Sequence, residues 1–341
     1  MNGVDHIWRV DSKLRALRPH ALELLDTANE YAWTAVPPGL LEQIRLRVAA
    51  LMGNNAGLLR RSRTARERGL TEAKIAQLAL YYKSDEFLAA EKQCLEFAEQ
   101  FVLDVSNITE ADVAGLARHL GTGQSQEFVT ALYVTECTQR LEIVAPALLG
   151  GSAAELTGCA ATVSQVSALH RNDDALGGLT TALERYQEAV VLGTALDPVV
   201  TEMVRLRCAR THGCRICKTL RLIDARQVGV DDTMTAKIDF YEQSDLDERI
   251  KIALRITDAF ITRPDTLTEA AIGQARSAFT PDALAELCLD ITKWSTQKIY
   301  VALGTDTADI LPKDGQGVSF FSFDKDGRVA GFTVTPEPPA R

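Results

Sequence analysis

The fold and the chemistry of this chain are decided by residues 202–221, which read EMVRLRCARTHGCRICKTLR. The stretch holds the one Cys-x-x-Cys of the sequence, formed by Cys214 and Cys217, with Gly213 before it and the carboxylate of Glu202 twelve positions upstream of Cys214. The pattern after Cys217 is helical, which places both thiols at a predicted helix start, where unpaired N–H groups and the helix dipole stabilise a thiolate. Two thiols at this spacing can close and reopen a disulfide, so we predict a redox dithiol.

The quoted stretch belongs to an internal repeat with a shift of 160 positions, the distance from Glu42 to Glu202 (202 − 42 = 160). Eleven residues between positions 38 and 69 are identical to their counterparts, where composition alone would give about two. The identical pairs are Pro38/Pro198, Glu42/Glu202, Arg45/Arg205, Leu46/Leu206, Arg47/Arg207, Ala49/Ala209, Gly53/Gly213, Arg61/Arg221, Ala65/Ala225, Arg66/Arg226 and Gly69/Gly229. Asn54 and Gly57 occupy the cysteine positions in the first copy, so we predict a duplicated domain with the dithiol in the second copy alone.

Each copy is predicted to consist of helices, because apolar residues recur at intervals of three and four. In the first copy this pattern covers residues 21–33, 40–51 and 56–68, and Gly69 follows as a helix-ending glycine. The predicted fold class is therefore all-α, with two tandem duplicated helical domains. The predicted boundaries are 1–149 for the first domain, 150–178 for a linker, 179–310 for the second domain and 311–341 for a tail.

The tail differs from the rest of the chain in its β-rich composition. Residues 318–323 and 329–334 are rich in Val, Phe and Thr, and the Asp-Lys-Asp-Gly-Arg between them (324–328) predicts a turn. We therefore predict a C-terminal β-hairpin. An isolated hairpin is marginally stable in water, so this one must pack on a helical domain or on a neighbouring subunit.

Composition and charge indicate a cytoplasmic globular protein. The 341 residues are 46% hydrophobic and 24% charged, and the net charge of −9 argues against nucleic acid or an anionic membrane surface as a partner. No apolar run approaches the roughly 20 residues that span a bilayer, and residues 1–20 lack the apolar core of a signal peptide. Seven scattered cysteines, an odd number, do not form the pattern of a secreted disulfide framework.

Four residues of the quoted stretch are predicted to take part in the thiol chemistry. Cys214 is predicted to be the attacking thiolate, because it is nearer the helix N-terminus, and Cys217 the more buried, resolving thiol. Arg221 follows Cys217 by four positions, on one face of the predicted helix, and is predicted to stabilise a thiolate. Its guanidinium stays charged and cannot shuttle a proton. His212 is predicted to be a local proton donor, with a capping or exposed position as the alternative.

Glu202 is the candidate base of the site. It lies on the helix that precedes the dithiol, and its carboxylate is predicted to accept a thiol proton directly or through water. The alternative is a structural ion pair of the duplicated scaffold, because Glu42 and Arg61 of the first copy correspond to Glu202 and Arg221.

The Cys-x-x-Cys itself leaves three alternatives open: a redox pair, a metal site or an inactive remnant. A zinc site needs about four ligands, and Cys208, His212, Cys214 and Cys217 lie within ten residues, although no second ligand pair occurs elsewhere. The non-enzymatic hypothesis is a helical assembly module or a redox sensor, because the first copy lacks both thiols. We predict no bound cofactor or metal.

The arrangement of Glu, eleven residues, Cys-x-x-Cys and then three residues to a polar group resembles the carboxymuconolactone decarboxylase superfamily, especially its alkylhydroperoxidase D branch. The flanking sequences agree, with Arg-Leu-Arg before the turn and Gly-Val-Asp or Gly-Leu-Thr after it. A late helix in each copy carries Gln139-Arg140 or Gln297-Lys298. The resemblance covers both copies.

The resemblance, over about residues 20–148 and 179–303, implies an all-α fold whose helices pack into trimers or hexamers. It implies reduction of a hydroperoxide, or of the disulfide of a peroxiredoxin-type partner, with an external dithiol as reductant. With two copies in one chain, we expect a homo-oligomer, either a dimer or a trimer. Lactone decarboxylation fits poorly, because that branch relies on histidine and usually lacks the dithiol.

In the alkylhydroperoxidase D branch the proton relay consists of Glu, the first Cys, the second Cys and His. Glu202, Cys214 and Cys217 match three of these positions. The closing His is Arg221 in this chain, and the His sometimes found just before the second Cys is Ile216. The resemblance therefore implies the dithiol chemistry but leaves the proton donor of the relay without a matching residue.

Overall fold

The computed structural model describes residue 8 and residues 10–151, 178–307 and 311–336. The chain forms two compact units, Met1–Tyr186 and Gln187–Arg341. The predicted all-α fold class with a C-terminal hairpin is confirmed. The predicted linker, 150–178, lies outside the described residues except at its two ends, and so does Cys159.

In the residues that the structure describes, nine helices lie wholly within the first unit. They are α1 Ser12–Leu17, α2 Pro19–Ala35, α3 Pro38–Met52, α4 Asn55–Leu59, α5 Arg63–Glu67, α6 Glu72–Ala76, α7 Ala89–Asp104, α8 Glu110–Leu120 and α9 Thr122–Leu149, with 3₁₀ turns at Leu78–Lys83 and Val105–Asn107. Helix α3 packs against α7 and α9, and α2 packs against α9. Pro38 starts α3 in its first turn, and Gly53 ends it at φ 70°, a conformation that favours glycine.

Helix α10 (Leu179–Val190) leads into the second unit. The elements that follow are α11 Pro198–Thr211, α12 Arg215–Thr219, β1 Leu220–Leu222, α13 Ile223–Gln227, α14 Asp232–Ala236, α15 Glu248–Ile261, α16 Glu269–Ala278, α17 Pro281–Ser295, α18 Gln297–Ala302, β2 Ser319–Phe323 and β3 Val329–Thr333, with 3₁₀ turns at Lys237–Gln243 and Pro264–Thr266. Helix α11 packs against α15 and α17, which form the centre of this unit.

The helix predicted over residues 56–68 is wrong, because the structure divides it into α4 and α5. Two side chains of α3 cause this break between α4 and α5. Arg45 donates to the carbonyl oxygen of Arg60 (2.9 Å), and the Ser62 N–H donates to Glu42 (3.0 Å). Backbone groups that would extend the helix are therefore bonded to a buried ion pair instead.

In the second unit a helix ends at the corresponding place. Helix α12 ends at Thr219 after five residues, because Arg205 donates to the Leu220 carbonyl oxygen and the Leu222 N–H donates to Glu202 (3.3 Å). Arg221 therefore lies in strand β1, and the prediction that it shares a helix face with Cys217 is wrong.

The C-terminal hairpin is present and joins the second unit through a third strand. Strands β2 and β3 pair antiparallel, as predicted, and β1 pairs parallel to β2, with Arg221 opposite Phe320. Ile223, Val318 and Phe320 form a small buried cluster behind this sheet. The hairpin is thereby attached to the residues that directly follow the Cys-x-x-Cys.

No helix in the described part of the chain is long and apolar enough to cross a membrane.

Candidate functional site

The short helix α12 presents the two cysteines, and Cys214 is its N-cap. The Cys214 sulfur accepts a hydrogen bond from the Cys217 N–H at 3.3 Å. The two N–H groups between them are already bonded, because Arg215 N donates to the Asp306 carboxylate (2.7 Å) and Ile216 N donates to the Asp306 carbonyl oxygen (3.2 Å). The expectation of unpaired N–H groups at the thiols is therefore wrong, because the N–H groups of Arg215 and Ile216 both donate to Asp306.

The two thiols differ in exposure. Both cysteines are free, Cys214 is completely buried, and Cys217 is half-buried. The prediction that Cys217 is the more buried thiol is wrong. As the N-cap, Cys214 turns its sulfur back over the first turn of α12, whereas Cys217 lies on the turn itself.

The electrostatics of the pair also favour Cys217 as the thiolate. The hydrogen bond from the Cys214 thiol lowers the pKa of Cys217; burial opposes this, and the positive charges of Arg205 and Lys293 add to it. The same hydrogen bond, burial and the negative charge of Asp306 raise the pKa of Cys214. The directions of the two shifts therefore favour Cys217 as the thiolate and Cys214 as the thiol.

Arg205 is the residue that holds the loop of the dithiol. Its guanidinium donates to both oxygens of Glu202 (2.6 and 2.8 Å), to the Cys217 carbonyl oxygen (3.1 Å) and to the Leu220 carbonyl oxygen. Both members of this ion pair are almost fully buried. Glu202 therefore has its oxygens occupied by Arg205, an arrangement that favours the structural alternative over a role as base.

The first unit contains the same ion pair without the thiols. Arg45 donates to both oxygens of Glu42 (2.6 and 2.9 Å), to the Gly57 carbonyl oxygen (2.8 Å) and to the Arg60 carbonyl oxygen (2.9 Å). The pairing partner of each glutamate is thus the arginine three positions later, and not Arg61 or Arg221. Sequence reasoning missed Arg205, although its recurrence at Arg45 was a signal of a scaffold role.

Arg221 occupies a structural position beside this pair. It donates to the carbonyl oxygens of Lys218 (2.8 Å) and Leu220 (2.9 Å), and its Nε lies 3.4 Å from Asp232. Burial lowers the pKa of Arg221, and the charge of Arg205 adds to this effect. Arg61 of the first unit makes the corresponding ion pair with Glu72, so this arginine also belongs to the duplicated scaffold.

His212 is buried at the end of α11, where its Nε2 lies 3.1 Å from the Ser295 hydroxyl. The alternative of an exposed His212 is wrong. Burial raises the pKa of Cys208 to about 12. Among the described residues, no group of three or more His, Cys, Asp or Glu side chains could hold a metal ion, so the four zinc candidates are not assembled into a ligand set.

Lys293 was not predicted from the sequence, although it is the site's other cation. It is half-buried on α17, and its Nζ lies 3.5 Å from the ring centroid of Trp294 and 5.2 Å from that of Phe323. Burial lowers the pKa of Lys293 to about 7; the charge of Arg205 acts in the same direction, and Cys217 and Asp290 oppose it.

Aromatic rings from α17 and from the hairpin lie beside these cations. The Arg205 guanidinium lies 5.9 Å from the Trp294 ring centroid and 5.5 Å from that of Phe321, and Trp294 lies 6.1 Å from Phe323. The indole N–H of Trp294 has no hydrogen-bond partner among the described residues. The dithiol therefore sits beside two cations and an aromatic wall that the C-terminal hairpin completes.

Two curated proteins of Mycobacterium tuberculosis are similar to this chain. They are Uncharacterized protein MT2376 of strain CDC 1551 / Oshkosh and Uncharacterized protein Rv2313c of strain ATCC 25618 / H37Rv. Each is 36% identical over 242 residues, which is 70% of this chain and 80% of the relative. No model of a protein family matches the sequence, and no solved structure matches it.

Proposed function

We propose that this chain, which belongs to the same family as Uncharacterized protein Rv2313c and Uncharacterized protein MT2376 of Mycobacterium tuberculosis, is a thiol-dependent oxidoreductase. Its reaction is the reduction of a hydroperoxide or of a peroxiredoxin-type protein disulfide by the dithiol Cys214/Cys217. One observation carries the proposal: the half-buried Cys217 lies one helical turn from the buried Cys214, whose sulfur accepts a hydrogen bond from the Cys217 N–H at 3.3 Å. The lowered pKa of Cys217 and the raised pKa of Cys214 support it. The resemblance to the alkylhydroperoxidase D branch supports the same substrates.

The roles of the two thiols are the reverse of those suggested by sequence position. The Cys217 thiolate attacks a hydroperoxide oxygen, the O–O bond breaks, and the products are a Cys217 sulfenic acid and an alkoxide that takes up a proton. The Cys214 thiol then attacks the sulfenic sulfur, and a Cys214–Cys217 disulfide forms with release of water. An external dithiol reduces this disulfide by two thiol exchanges.

On a protein disulfide the first step is an exchange reaction. The Cys217 thiolate attacks one sulfur of the partner, the partner's S–S bond breaks, and the other partner sulfur leaves as a thiolate. Cys214 loses its proton, attacks the mixed disulfide and releases the partner's second thiol. Both reactions use the same nucleophile and the same resolving thiol, so the site itself fits either substrate.

Turnover with a dithiol reductant tests the proposal. Wild type is expected to consume hydroperoxide or a peroxiredoxin-type disulfide, and Cys217→Ser is expected to lose this activity. Cys214→Ser should instead stop at a covalent adduct on Cys217, seen by mass spectrometry as a mixed disulfide or a sulfenic acid adduct. Equal rates for wild type and Cys217→Ser would overturn the proposal.

The second candidate is a redox sensor or an assembly module with a remnant dithiol. It is favoured by the first unit, which keeps the buried ion pair of Glu42 and Arg45 although Asn54 and Gly57 replace the cysteines. The fold therefore does not depend on the thiols. A Cys217 thiol with the ordinary pKa of about 8.5 would favour this candidate over the enzyme.

The proposal includes the cytoplasm as location and a homo-oligomer, either a dimer or a trimer, as the assembled form. Two exposed apolar side chains at corresponding positions, Leu80 and Phe240, are 54% and 76% exposed and fit a surface that meets another copy. Light scattering coupled to gel filtration gives the assembled mass directly, and a monomeric mass would contradict this part of the proposal.

A further inference from the structure

We propose that the surface around Cys217 is a docking site for an acidic polypeptide, and that the substrate of the dithiol is a protein disulfide flanked by glutamate or aspartate residues. The inference rests on the proposed dithiol chemistry and chooses between its two substrates. It is carried by three cationic side chains, Arg215, Lys218 and Arg221, on the chain segment that holds the half-buried thiol. Residues 215–221 are called the cationic segment below.

The three cations recur at every third position of this segment. Arg215 begins α12, Lys218 follows one turn later, and Arg221 lies in β1. Helix α12 has five residues, which span about 7.5 Å, so no charge on it is farther from Cys217 than about a Debye length. Arg221 is held against the same turn, because its Nη1 donates to the Lys218 carbonyl oxygen at 2.8 Å. The three positive charges are therefore grouped around the thiol.

The cations differ in how available they are to a partner. Lys218 is exposed, and its side chain makes no hydrogen bond or ion pair in the part of the chain that the structure describes. Arg215 keeps 58% of its side chain exposed, although its guanidinium lies 2.7 Å from the Asp306 carboxylate. Arg221 is more buried and lies 3.4 Å from Asp232. Lys218 is therefore the cation whose charge a partner meets without a competing carboxylate.

Asp306 holds the cationic segment from the buried side. Its carboxylate accepts the Arg215 backbone N–H at 2.7 Å, and its carbonyl oxygen accepts the Ile216 N–H at 3.2 Å. The Asp306 side chain is almost fully buried, so it does not present a negative charge to a docking partner. A segment that is fixed in this way before binding loses little conformational entropy when the partner arrives.

The positive charge of this segment contrasts with that of the molecule. The chain carries a net charge of −9, so an acidic partner is repelled by the protein as a whole. Complementary charge at the cationic segment attracts the same partner locally and favours the approach that brings it to Cys217. Local charge complementarity therefore selects both the place of docking and the sign of the partner's charge.

The internal repeat ties two of these cations to the thiols. The shift of 160 places Asn55 opposite Arg215 and Leu58 opposite Lys218 (215 − 55 = 160, 218 − 58 = 160). The unit without cysteines therefore has no charge at either position. Arg221 corresponds to Arg61, which belongs to the shared scaffold.

A polypeptide uses these charges, whereas a hydroperoxide does not. A hydroperoxide is small and neutral, so exposed cations add nothing to its binding. A peptide of several residues can meet charges spread over the seven residues of the cationic segment. In the exchange step a bond forms between Cys217 and one partner sulfur, the partner's S–S bond breaks, and the other sulfur leaves as a thiolate. The positive segment also favours this developing negative charge.

Three symmetric peptide disulfides test the inference. They differ only in the two residues that flank each cysteine, which are glutamates, lysines or glutamines. Exchange is measured in the Cys214→Ser background, where the mixed disulfide with Cys217 accumulates and the first step is seen alone. We expect added Lys218→Glu to lower the ratio of the glutamate-peptide rate to the lysine-peptide rate about 10-fold at low salt. The effect should shrink in 1 M salt.

This rate ratio reports docking and not the ionisation of the thiol, because all three peptides react with the same thiolate. Arg63→Glu is the control, since Arg63 is an exposed cation of the first unit and its replacement changes the net charge equally. The control should keep the ratio. An unchanged ratio in Lys218→Glu, or an equal fall in Arg63→Glu, would overturn the inference.

The concentration dependence distinguishes a polypeptide from a small anion. The rate should saturate with the glutamate peptide, and Lys218→Glu should raise the half-saturating concentration while the limiting rate changes little. With 3,3′-dithiodipropionate the rate should stay proportional to concentration over the same range. Saturation by this small disulfide at equal or lower concentration would overturn the choice of a polypeptide.

Failure of the inference differs from failure of the proposed function. A mixed disulfide that forms on Cys217 without any dependence on peptide charge would overturn the docking site alone. The absence of a mixed disulfide with all three peptides would overturn the protein-disulfide substrate, and hydroperoxide consumption then decides whether the dithiol is an enzyme site at all.

Discussion

At the scale of single residues, the environment of each sulfur decides its role more strongly than its place in the Cys-x-x-Cys motif. Cys214 comes first in the chain, but the hydrogen bond to Cys217 and burial raise its pKa. The hydrogen bond from the Cys214 thiol and the positive charges of Arg205 and Lys293 lower the pKa of Cys217. The Cys-x-x-Cys motif gives only the spacing of the two thiols. Residues that shift the pKa of these thiols, such as Lys293 and Asp306, lie at distant positions in the sequence.

Variants of the corresponding arginines Arg205 and Arg45 distinguish an effect on stability from an effect on the reactivity of Cys217. Replacing either by Met leaves a buried glutamate without its partner, which is expected to cost about 3–5 kcal/mol in each unit. Only Arg205→Met removes a positive charge that acts on Cys217, so its alkylation rate at pH 7 should fall. Denaturant unfolding and alkylation of both variants check this.

Arg45→Met is the control for that experiment. It should lower stability by a similar amount and leave Cys217 alkylation unchanged. A loss of Cys217 reactivity in Arg45→Met as large as that in Arg205→Met would mean that instability, and not the local charge, causes the effect.

At the scale of elements, the long helices were predictable, whereas the short ones around the dithiol were not. The apolar periodicity located α2 and α3, because their buried faces run over several turns. The breaks after α4 and α12 depend on a buried ion pair that takes backbone groups out of the helix. Strand β1 has three residues and pairs with a hairpin almost a hundred positions later, which no local pattern can indicate.

Asp306 anchors the N-terminal end of α12, and this anchor depends on pH. Burial raises the pKa of Asp306, but the hydrogen bonds and the charge of Arg215 outweigh it, so the folded-state pKa is lowered. Its stabilising effect is therefore complete above the unfolded value of about 3.9 and is lost as the pH falls through the lower folded value. We expect the stability difference between wild type and Asp306→Asn to be constant above about pH 5 and to shrink in stronger acid.

Unfolding free energies of these two proteins from pH 7 to pH 2 check the prediction. Asparagine keeps an oxygen acceptor for the Arg215 N–H but removes the charge that acts on the cysteines, so Cys217 alkylation at pH 7 should also become faster. A stability difference that grows as the pH falls would contradict the assigned role of Asp306.

At the scale of the whole molecule, two copies of one scaffold carry different residues and elements at corresponding places. Both keep the glutamate–arginine pair, and the second copy adds the dithiol, Lys293 and the hairpin. The repeat was readable from the sequence because identities at a shift of 160 are independent of structure. The surroundings of the dithiol were not readable, because they are assembled from α11, α12, α17 and β2.

Grafting the cysteines into the first unit tests how much the scaffold alone supplies. A Cβ at Gly57 would lie 2.6 Å from the Asn54 side-chain nitrogen, so Gly57→Cys alone should cost about 1–3 kcal/mol. Combining it with Asn54→Cys removes that contact, and the double variant should be more stable than the sum of the single effects. Thr135 precedes Gln139 by four positions, as Lys293 precedes Gln297, so the first unit has no lysine at this place. The thiol introduced at position 57 should therefore titrate at higher pH than Cys217.

Denaturant unfolding of the two single variants and the double variant measures the coupling, and site-resolved alkylation measures the thiols. Strictly additive stabilities would contradict the steric argument. A thiol at position 57 as reactive as Cys217 would show that the shared scaffold is sufficient, and that Lys293 and the hairpin add nothing to thiolate formation.

The most direct test of the central claim is the pH dependence of alkylation at each cysteine of the wild-type protein, resolved by mass spectrometry of its peptides. The account predicts that Cys217 reacts first, with a midpoint below the ordinary thiol value of about 8.5, while Cys214 stays unmodified until Cys217 has reacted. Preferential reaction of Cys214, or an ordinary midpoint for Cys217, would contradict it.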